Sequence, residues 1–403
     1  MSKLLTIIFL AIACSSCSSG KLTAQPVRNL RVFALDGKSL ERNKGILTNG
    51  QETLAPAYKQ LLKDADKALK FGPVSVMEKT NTPPSGDKHD YMSLAPYFWP
   101  NPDTKDGLPY IRKDGQTNPE VKEYKDKDYL PKLCEYVNTL GLAYYFSENT
   151  AYAAHAANLL KVWFINPESR MNPNLNFGQA IKGKNDGRGA GMIDTRHFVK
   201  LIDGIGFLKG SKYWKADDQK AMQAWFTEFL TWMQTSPIGT DELKAKNNHG
   251  AWYDAQRLSM ALFIDSADLA KRVVQSAANR LDYQVDEQGM FPAEMERTIS
   301  LHYTAFAMEA FFNIAQMSAY TNIDFWKLIT PSGKSLEKSF KVLKPYLANE
   351  VSWTGQQIKD YDFEDSYLLL EQGAKHFGCK DCVLLLQNLA ADKAPRLKMN
   401  LIF

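Results

Sequence analysis

Apolar residues recur at helical spacing along this chain, and this pattern limits the possible folds more than any other feature of the sequence. Three stripes each place large apolar side chains on one helix face; they are Tyr152, Ala156, Leu159, Leu160, Trp163 and Phe164, then Met222, Trp225, Phe226, Phe229, Leu230 and Met233, then Leu301, Ala305, Met308 and Phe312. Convincing two-residue alternation is missing, and apolar pieces such as Val32 to Leu35 are isolated. The sequence therefore predicts an all-α protein of successive helical hairpins.

Further helices are expected on either side of these stripes. Their approximate ranges are Thr53–Leu69, Val121–Phe146, Thr195–Leu208, Asp241–Ile264, Asp268–Tyr283, Ile323–Leu328, Leu336–Leu343, Ser366–His376 and Cys382–Leu389. After the first residues, no linker rich in Ser, Gly or Pro divides the chain, and no fixed period indicates a repeat array. Residues 25–403 are therefore expected to form one domain.

The first residues have the pattern of a secretory signal peptide, from Met1 to about Ala24. Lys3 supplies the charged start, an apolar run covers residues 4–13, and small residues follow. Cys14 resembles the cysteine of a bacterial lipoprotein cleavage site, and Cys17 is a second candidate for such a lipid anchor. We expect an exported protein, either periplasmic or an outer-membrane lipoprotein.

Composition narrows the class of partner. The formal net charge is +4 and the sequence pI is about 8.5, which is too mild and dispersed for a nucleic-acid-binding protein. The aromatic share of 12% suits a groove on which sugar rings stack, although large helical cores also use many aromatic residues. An anionic polysaccharide is permitted by these numbers and is not required by them.

The cysteines and histidines do not imply a metal or a cofactor. Cys379 and Cys382 form a lone CxxC pair, which lacks the second pair that a zinc site needs, so a local disulfide is favoured over a catalytic role. The chain has no HExxH motif, and His89, His302 and His376 have no partners at ligand spacing.

Two long polar stretches interrupt the helices, at residues 80–118 and 172–194. Loops of this length in a compact domain are often binding segments or lids, and disorder is the alternative. The first contains Tyr97 and Trp99 between Pro96 and Pro100, an aromatic group that suits either a platform for sugar rings or a plug against the core. Arg188 in the second stretch, and Arg196 and His197 just after it, are candidate substrate contacts. The alternative is that they belong to a solvated basic loop.

The segment Asn247-Asn248-His249-Gly-Ala-Trp252 is the strongest chemical signal. If residues 241–264 form one helix, Asn248, His249 and Trp252 share a face, and polar residues in mid-helix oppose helix propensity, as functional sites often do. A buried histidine satisfied by its neighbours is the alternative. Farther along the chain, Arg297 and Tyr303 lie six residues apart, close to one side of the next helix.

These segments resemble the alginate lyase family of helical polysaccharide lyases. The resemblance rests on Asn-Asn-His followed by Trp-Tyr, on Pro-x-Glu-x-x-Arg leading to Tyr-x-x-Phe-Ala, and on the Pro-Tyr-Phe-Trp-Pro loop, and it spans roughly Tyr91 to Phe312. It implies an (α/α)n toroid or incomplete barrel of helical hairpins, with long loops over a cleft. Two features depart from the family pattern. The interval from Arg297 to Tyr303 is one residue shorter than in well-known alginate lyases, and His249 is followed by Gly-Ala. Because these departures point to a more distant branch of the family, glucuronan is an expected substrate beside alginate.

By this resemblance, four residues would carry β-elimination from a polyuronate. Asn248 and Arg297 would neutralise the uronate carboxylate, Tyr303 would be the catalytic acid and base, and His249 would be a second base or a carboxylate partner. Carboxylate neutralisation is needed because the proton on C5 is scarcely acidic beside an ionised carboxylate. In mannuronate-type and glucuronate-type units the C5 proton and the leaving oxygen lie on one side, so we expect these to be preferred.

Two other functions fit the sequence less well. A helical-toroid glycoside hydrolase would need a pair of carboxylates, for which Asp254, Glu294 and Glu296 are available. A non-catalytic surface lipoprotein that captures glycans would need only the leader and the aromatic loop.

Overall fold

The computed structural model describes residues 30–388 and 399–403, and it is mainly helical. The helices are α1 (Gly37–Thr48), α2 (Ala55–Ala68), α3 (Lys125–Ser147), α4 (Thr150–Leu160), α5 (Phe198–Phe207), α6 (Ala216–Thr235), α7 (Pro237–Leu243), α8 (Asn248–Phe263), α9 (Ala267–Gln284), α10 (Pro292–Met295), α11 (Ser300–Ser318), α12 (Leu336–Leu347), α13 (Tyr367–Phe377) and α14 (Lys380–Asn388). The leader and its two cysteines, Cys14 and Cys17, lie outside the described residues, so the signal peptide and lipid anchor stay predictions.

The helices form two layers of an α/α toroid. In the inner layer, α3, α5, α8, α11 and α13 each pack beside the next, and the outer helices α4, α9 and α12 pack against α3, α8 and α11. Of the 16 residues of α8, 14 are buried, whereas only 7 of the 18 residues of α9 are. This difference follows from position, because an inner helix is covered all round and an outer helix on one face. The predicted all-α fold of helical hairpins is confirmed.

The predicted helix over residues 241–264 is wrong in one respect, because the chain breaks between α7 and α8. Asn247 caps α8: its side chain accepts a hydrogen bond from the backbone N–H of His249. Asparagine is a favourable N-cap, so Asn248 and His249 begin a helix and do not disturb the middle of one. Likewise, the helix expected over residues 323–328 is only a short 3-10 turn, Phe325–Lys327.

The two long loops are ordered and pair with each other. Strand β1 (Met92–Leu94) of the first lies parallel to β4 (Phe177–Ala180) of the second, while β2 (Phe98–Trp99) and β3 (Ile111–Arg112) form an antiparallel pair within the first. The buried carboxylate of Asp194 accepts hydrogen bonds from Tyr91, Ser93 and Gln179 and pairs with Lys127. This network fixes both loops to the start of α3.

The CxxC pair forms the local disulfide that was expected. It joins Cys379, in the turn between α13 and α14, to Cys382 in the first turn of α14. Among the residues that the structure describes, no helix is long and apolar enough to cross a membrane.

Candidate active site

A cleft of about 990 Å³ opens at the N-terminal ends of the inner helices. Its wall includes residues from the first turns of all five of them, namely Lys127, Val199, Asn248, Tyr303 and Leu368. The N-terminus of a helix carries a partial positive charge and unpaired backbone N–H groups. Five such ends directed at one cleft favour a negatively charged occupant.

The charged side chains of the wall have the same bias. Seven are cationic and five are acidic, a balance of +2; they are Arg112, Lys127, Arg188, Arg196, Lys200, Lys244 and Arg297, against Asp241, Glu242, Glu309, Glu364 and Asp365. Clustered cations in a cleft raise the local concentration of anionic ligands. Among the described residues, no group of three or more His, Cys, Asp or Glu side chains is placed to hold a metal ion.

All four residues expected to carry the chemistry, Asn248, His249, Arg297 and Tyr303, line this cleft. The first two start α8, while Arg297 precedes α11 and Tyr303 lies in its first turn. Since α8 and α11 are packed neighbours in the inner layer, their N-terminal ends are brought together although the motifs are about 50 residues apart in sequence.

Arg297 and Tyr303 are in direct contact. The guanidinium carbon of Arg297 lies 3.6 Å from the centroid of the phenol ring. The Tyr303 hydroxyl donates a hydrogen bond to the Tyr97 hydroxyl at 2.7 Å. Burial raises the pKa of Tyr303 well above its usual range and the nearby Tyr97 adds to the rise, whereas Arg297 opposes it. Tyr303 is therefore a neutral phenol in the substrate-free protein.

The guanidinium of Arg297 has a partner that the sequence did not reveal. Asp114, in the first long loop, accepts from Arg297 Nη2 at 2.8 Å and from Nε at 3.1 Å, and also from the backbone N–H and hydroxyl of Thr298. Burial alone would raise the pKa of Asp114, but these hydrogen bonds hold it well below its usual value. The pair spans 183 residues, so no local pattern predicts it.

Asn248 is fully buried and is held by Glu294. The Glu294 carboxylate accepts from the Asn248 side-chain Nδ2 at 2.9 Å and from its backbone N–H. Burial raises the pKa of Glu294, and the bonds from Asn248 oppose that rise. The amide oxygen of Asn248 has no hydrogen-bond partner among the described residues. Glu294 is the glutamate of the Pro-x-Glu-x-x-Arg motif, so this motif could have indicated that Glu294 supports the site.

His249 is held in a similar way from α7. Its Nδ1 lies 2.7 Å from Oε1 of Glu242, and the side chains are 20% and 4% exposed, respectively. Glu242 also lines the cleft. The sequence did not reveal Glu242 because residues 241–264 were expected to form one helix, on which positions seven apart lie two turns, or about 10 Å, from each other.

Five of the six expected substrate contacts line the cleft, and one does not. Tyr97, Arg188, Arg196, His197 and Trp252 belong to its wall. Trp99 lies outside it, where its indole N–H donates to the Gln116 carbonyl at 2.9 Å and Lys113 lies over its ring. Successive side chains in a strand point to opposite faces, so Phe98, which precedes Trp99 and was not singled out, faces the cleft in its place.

Two arginines of the wall leave their charge available. Arg188 donates to the backbone and side-chain oxygens of Gln179, at 3.2 and 2.8 Å, and Arg196 donates to the Ile193 carbonyl at 3.2 Å. All three acceptors are neutral oxygens. Beside them, burial lowers the pKa of His197 to about 2, with Arg196 and Lys200 adding to the effect, so this imidazole is neutral.

The carboxylates considered for a hydrolase do not form a pair in the cleft. Asp254 is fully buried and bonded to Arg280 at 2.6 Å, and Glu294 is bonded to Asn248. Glu296 borders a smaller adjoining cavity. None of the three belongs to the cleft wall, so they do not flank a common bond there.

Comparison with known proteins agrees with this fold. The sequence profile of the alginate lyase family matches residues 75–353. The crystal structure of an alginate lyase from Bacteroides ovatus is 40% identical, with a TM-score of 0.86, and the alignment covers 93% of this chain and 99% of that one. Alginate lyase A1-III from Sphingomonas species A1 shares the fold, with 18% identity, a TM-score of 0.59 and coverage of 94% and 97%. No curated protein matches the chain.

A variant of alginate lyase A1-III in complex with a tetrasaccharide is also similar, with 17% identity, a TM-score of 0.60 and coverage of 94% of this chain and 99% of that one. The family match and the 40%-identical alginate lyase show that the chain is a polysaccharide lyase, so the class of enzyme predicted from the motifs is confirmed. The chain belongs to the alginate lyase family.

Proposed function

We propose that this protein cleaves a polyuronate, mannuronate-rich alginate or glucuronan, by β-elimination in the cleft at the N-terminal ends of the inner helices. The contact between the Arg297 guanidinium and the Tyr303 phenol carries the proposal, because it sets a cation and a proton-transfer group in one cleft with Asn248 and His249. The similar structures are those of alginate lyases, one of them in complex with a tetrasaccharide, and they support the same substrate class.

Neutralisation of the substrate carboxylate is the first requirement. Removing the C5 proton produces an enolate-like transition state, which is stabilised by donors and cations aimed at the carboxylate. Arg297 supplies the charge. The second N–H of the Asn248 amide supplies a donor, since only one is needed for Glu294.

Proton transfer is assigned to Tyr303. The Tyr303 phenol first gives its proton to solvent. The phenolate, stabilised by Arg297, then takes the C5 proton, and the C5–H electron pair forms the C4–C5 double bond. The C4–O4 bond breaks, and the re-formed phenol gives that proton to O4. In mannuronate-type and glucuronate-type units both steps occur on one side of the sugar ring, so a single oxygen serves both. Preference for these units follows from that geometry.

The remaining wall is assigned to binding. Arg188 and Arg196 would meet the carboxylates of neighbouring sugar units, while Tyr97, His197 and Trp252 would contact the sugar rings and hydroxyls. A non-catalytic protein that only captures glycans would need neither the contact of Tyr303 with Arg297 nor its hydrogen bond to Tyr97. These contacts therefore favour the lyase over the glycan-capturing alternative.

Residues 1–24 are proposed to direct export, to the periplasm or, through a lipid on Cys14 or Cys17, to the outer membrane, leaving residues 25–403 as a single lyase domain. Intact mass spectrometry of the protein from a bacterial host would show either cleavage near Ala24 or a lipid-modified cysteine. A mature protein that retains Met1 would contradict the proposal of export.

The substrate is tested by incubating the purified protein with polymannuronate, polyguluronate, glucuronan and glycosaminoglycans and following ultraviolet absorbance of the new C4–C5 double bond. We expect fastest cleavage of polymannuronate or glucuronan. Rapid cleavage of polyguluronate with little action on polymannuronate would overturn the proposed preference, and inertness toward every polyuronate would overturn the function.

A further inference from the structure

The His249–Glu242 contact has a consequence beyond the placement of His249 in the cleft. A carboxylate accepts hydrogen bonds and, when ionised, donates none. Because Glu242 Oε1 lies 2.7 Å from Nδ1 of His249, the proton of a neutral imidazole belongs on Nδ1. The other nitrogen, Nε2, at the far end of the side chain, then keeps its lone pair.

We propose that Glu242 is a positioning residue that fixes His249 as the Nδ1–H tautomer, with Nε2 as a base facing the cleft for uronate units whose C5 proton lies opposite the leaving oxygen. The inference rests on the proposed function and deepens it, since it extends the substrates to guluronate-type units. Carboxylate–imidazole pairs orient the ring and set its tautomer in this way in many sites.

Burial strengthens the constraint. The side chain of Glu242 is 4% exposed. Glu242 lies on α7, which packs closely against the segment that starts at Gly189. The packing is so close that a Cβ atom on Gly189 would lie 2.9 Å from the backbone nitrogen of Glu242. The carboxylate therefore has little freedom to turn away from the imidazole. His249 is fixed from the other side by the cap of Asn247 on its backbone N–H.

The charged and titratable groups around His249 come from several elements. They are Asp241 and Glu242 from α7, Glu294 from α10, Arg297 from the turn before α11, Tyr303 from the first turn of α11, and Arg188 from the second long loop. Arg280 on α9 is bonded to Asp254 behind the cleft. Among the residues that the structure describes, Glu242 is the group bonded to the imidazole, and it therefore selects the tautomer.

In the elimination from a guluronate-type unit, His249 is the base and Tyr303 is the acid. Nε2 of His249 takes the C5 proton, the C5–H electron pair forms the C4–C5 double bond, the C4–O4 bond breaks, and O4 receives the Tyr303 proton. His249 leaves the step protonated and Tyr303 leaves it as phenolate, and a proton passed between them through solvent restores both. The neutral Tyr303 of the substrate-free protein suits this role directly.

Two variants test the inference, Glu242→Gln and Glu242→Met. Glutamine keeps the shape and accepts at its amide oxygen without charge, whereas methionine keeps the length and accepts almost nothing. The matched control is Asp241→Asn, which removes a carboxylate from the same helix and the same cleft wall but leaves the bond to His249 intact.

The direct readout is the nitrogen NMR signature of the His249 ring, in protein labelled with ¹⁵N-histidine; the chain has 6 histidines, and a His249→Gln spectrum assigns the signal. We expect the Nδ1–H tautomer in the wild type, in Asp241→Asn and in Glu242→Gln, which keeps an acceptor oxygen, and the Nε2–H tautomer in Glu242→Met. An unchanged Nδ1–H signature in Glu242→Met would overturn the inference.

The second readout is the division between kcat and KM on polyguluronate. We expect Glu242→Met to lower kcat about tenfold or more, with little change in KM and a smaller loss on polymannuronate, because only the base is misaligned. Equal losses on both polymers, or a wild type that cleaves polymannuronate alone, would contradict the base role. A wild type inert on all polyuronates would overturn the proposed function, and the NMR signature would still decide the role of Glu242.

Discussion

The substitution Tyr303→Phe isolates the proposed acid and base. It removes one oxygen, which lies 2.7 Å from the Tyr97 hydroxyl, and keeps the ring over which Arg297 lies at 3.6 Å. The cation that neutralises the substrate carboxylate therefore stays in place. The change separates proton transfer from carboxylate binding.

The size of the effect follows from these contacts. A positioned group that transfers one proton contributes roughly 10²-fold to 10⁴-fold to the rate. Since Tyr303 is proposed to serve two transfers, we expect kcat to fall by at least about 10³-fold, equivalent to about 4 kcal/mol. Only one neutral hydrogen bond is lost, so the free energy of unfolding should fall by about 1 kcal/mol and KM should change by less than about fivefold.

The assay is the initial rate of ultraviolet absorbance on polymannuronate, with thermal unfolding to verify the fold. Tyr253→Phe is the matched control: this tyrosine is also buried and its hydroxyl donates to the Met233 carbonyl at 2.8 Å, but it is not part of the cleft wall. We expect Tyr253→Phe to keep the wild-type kcat. If Tyr303→Phe kept more than about a tenth of that rate, the role of Tyr303 in proton transfer would be refuted.

Three further predictions follow from neighbouring contacts. Tyr97→Phe removes the acceptor of the Tyr303 hydroxyl, worth about 1 kcal/mol, so kcat should fall about threefold to tenfold; a loss as deep as that of Tyr303→Phe would contradict the supporting role. Asp114 has a lowered pKa, so its bonds to Arg297 stabilise the fold fully above about pH 4, the pKa of the unfolded chain, and this stability is lost progressively as the pH falls from there through the much lower pKa of the folded protein. Urea unfolding should show Asp114→Asn about 2 kcal/mol less stable than the wild type at pH 7, with the difference narrowing steadily below about pH 4, and a difference independent of pH would argue against the pairing. Asp203, buried on α5, accepts from the backbone N–H groups of residues 33–35 at 2.6 to 3.0 Å, so Asp203→Ala should lower the free energy of unfolding by about 3 kcal/mol, whereas a loss under about 0.5 kcal/mol would show that these bonds contribute nothing.

Helices with an apolar stripe were predictable because their pattern is local. The stripes that include Trp225 and Met308 fall on α6 and α11, as expected. The break between α7 and α8 was missed because Asn247 acts as a cap, and an asparagine within a helical pattern looks the same in sequence whether or not the helix starts there.

The ordered motifs predicted which residues share the cleft, whereas their partners depend on the tertiary fold. Asn248, His249, Arg297 and Tyr303 were found together from two segments of sequence. Asp114 reaches Arg297 from a loop 183 residues earlier, which is decided by the pairing of the two long loops and by no local pattern. Trp99 was misplaced because the side of the β2 strand that faces the cleft is set by the pairing of β2 with β3 within the first loop.

Cleavage by elimination leaves a new C4–C5 double bond at each broken glycosidic linkage, whereas hydrolysis leaves none. The two reactions are distinguished by the ratio of new C4–C5 double bonds to new reducing ends, measured on polymannuronate digested by the wild-type protein. We expect one double bond for every reducing end formed. Reducing ends formed without double bonds would mean hydrolysis and would contradict the account.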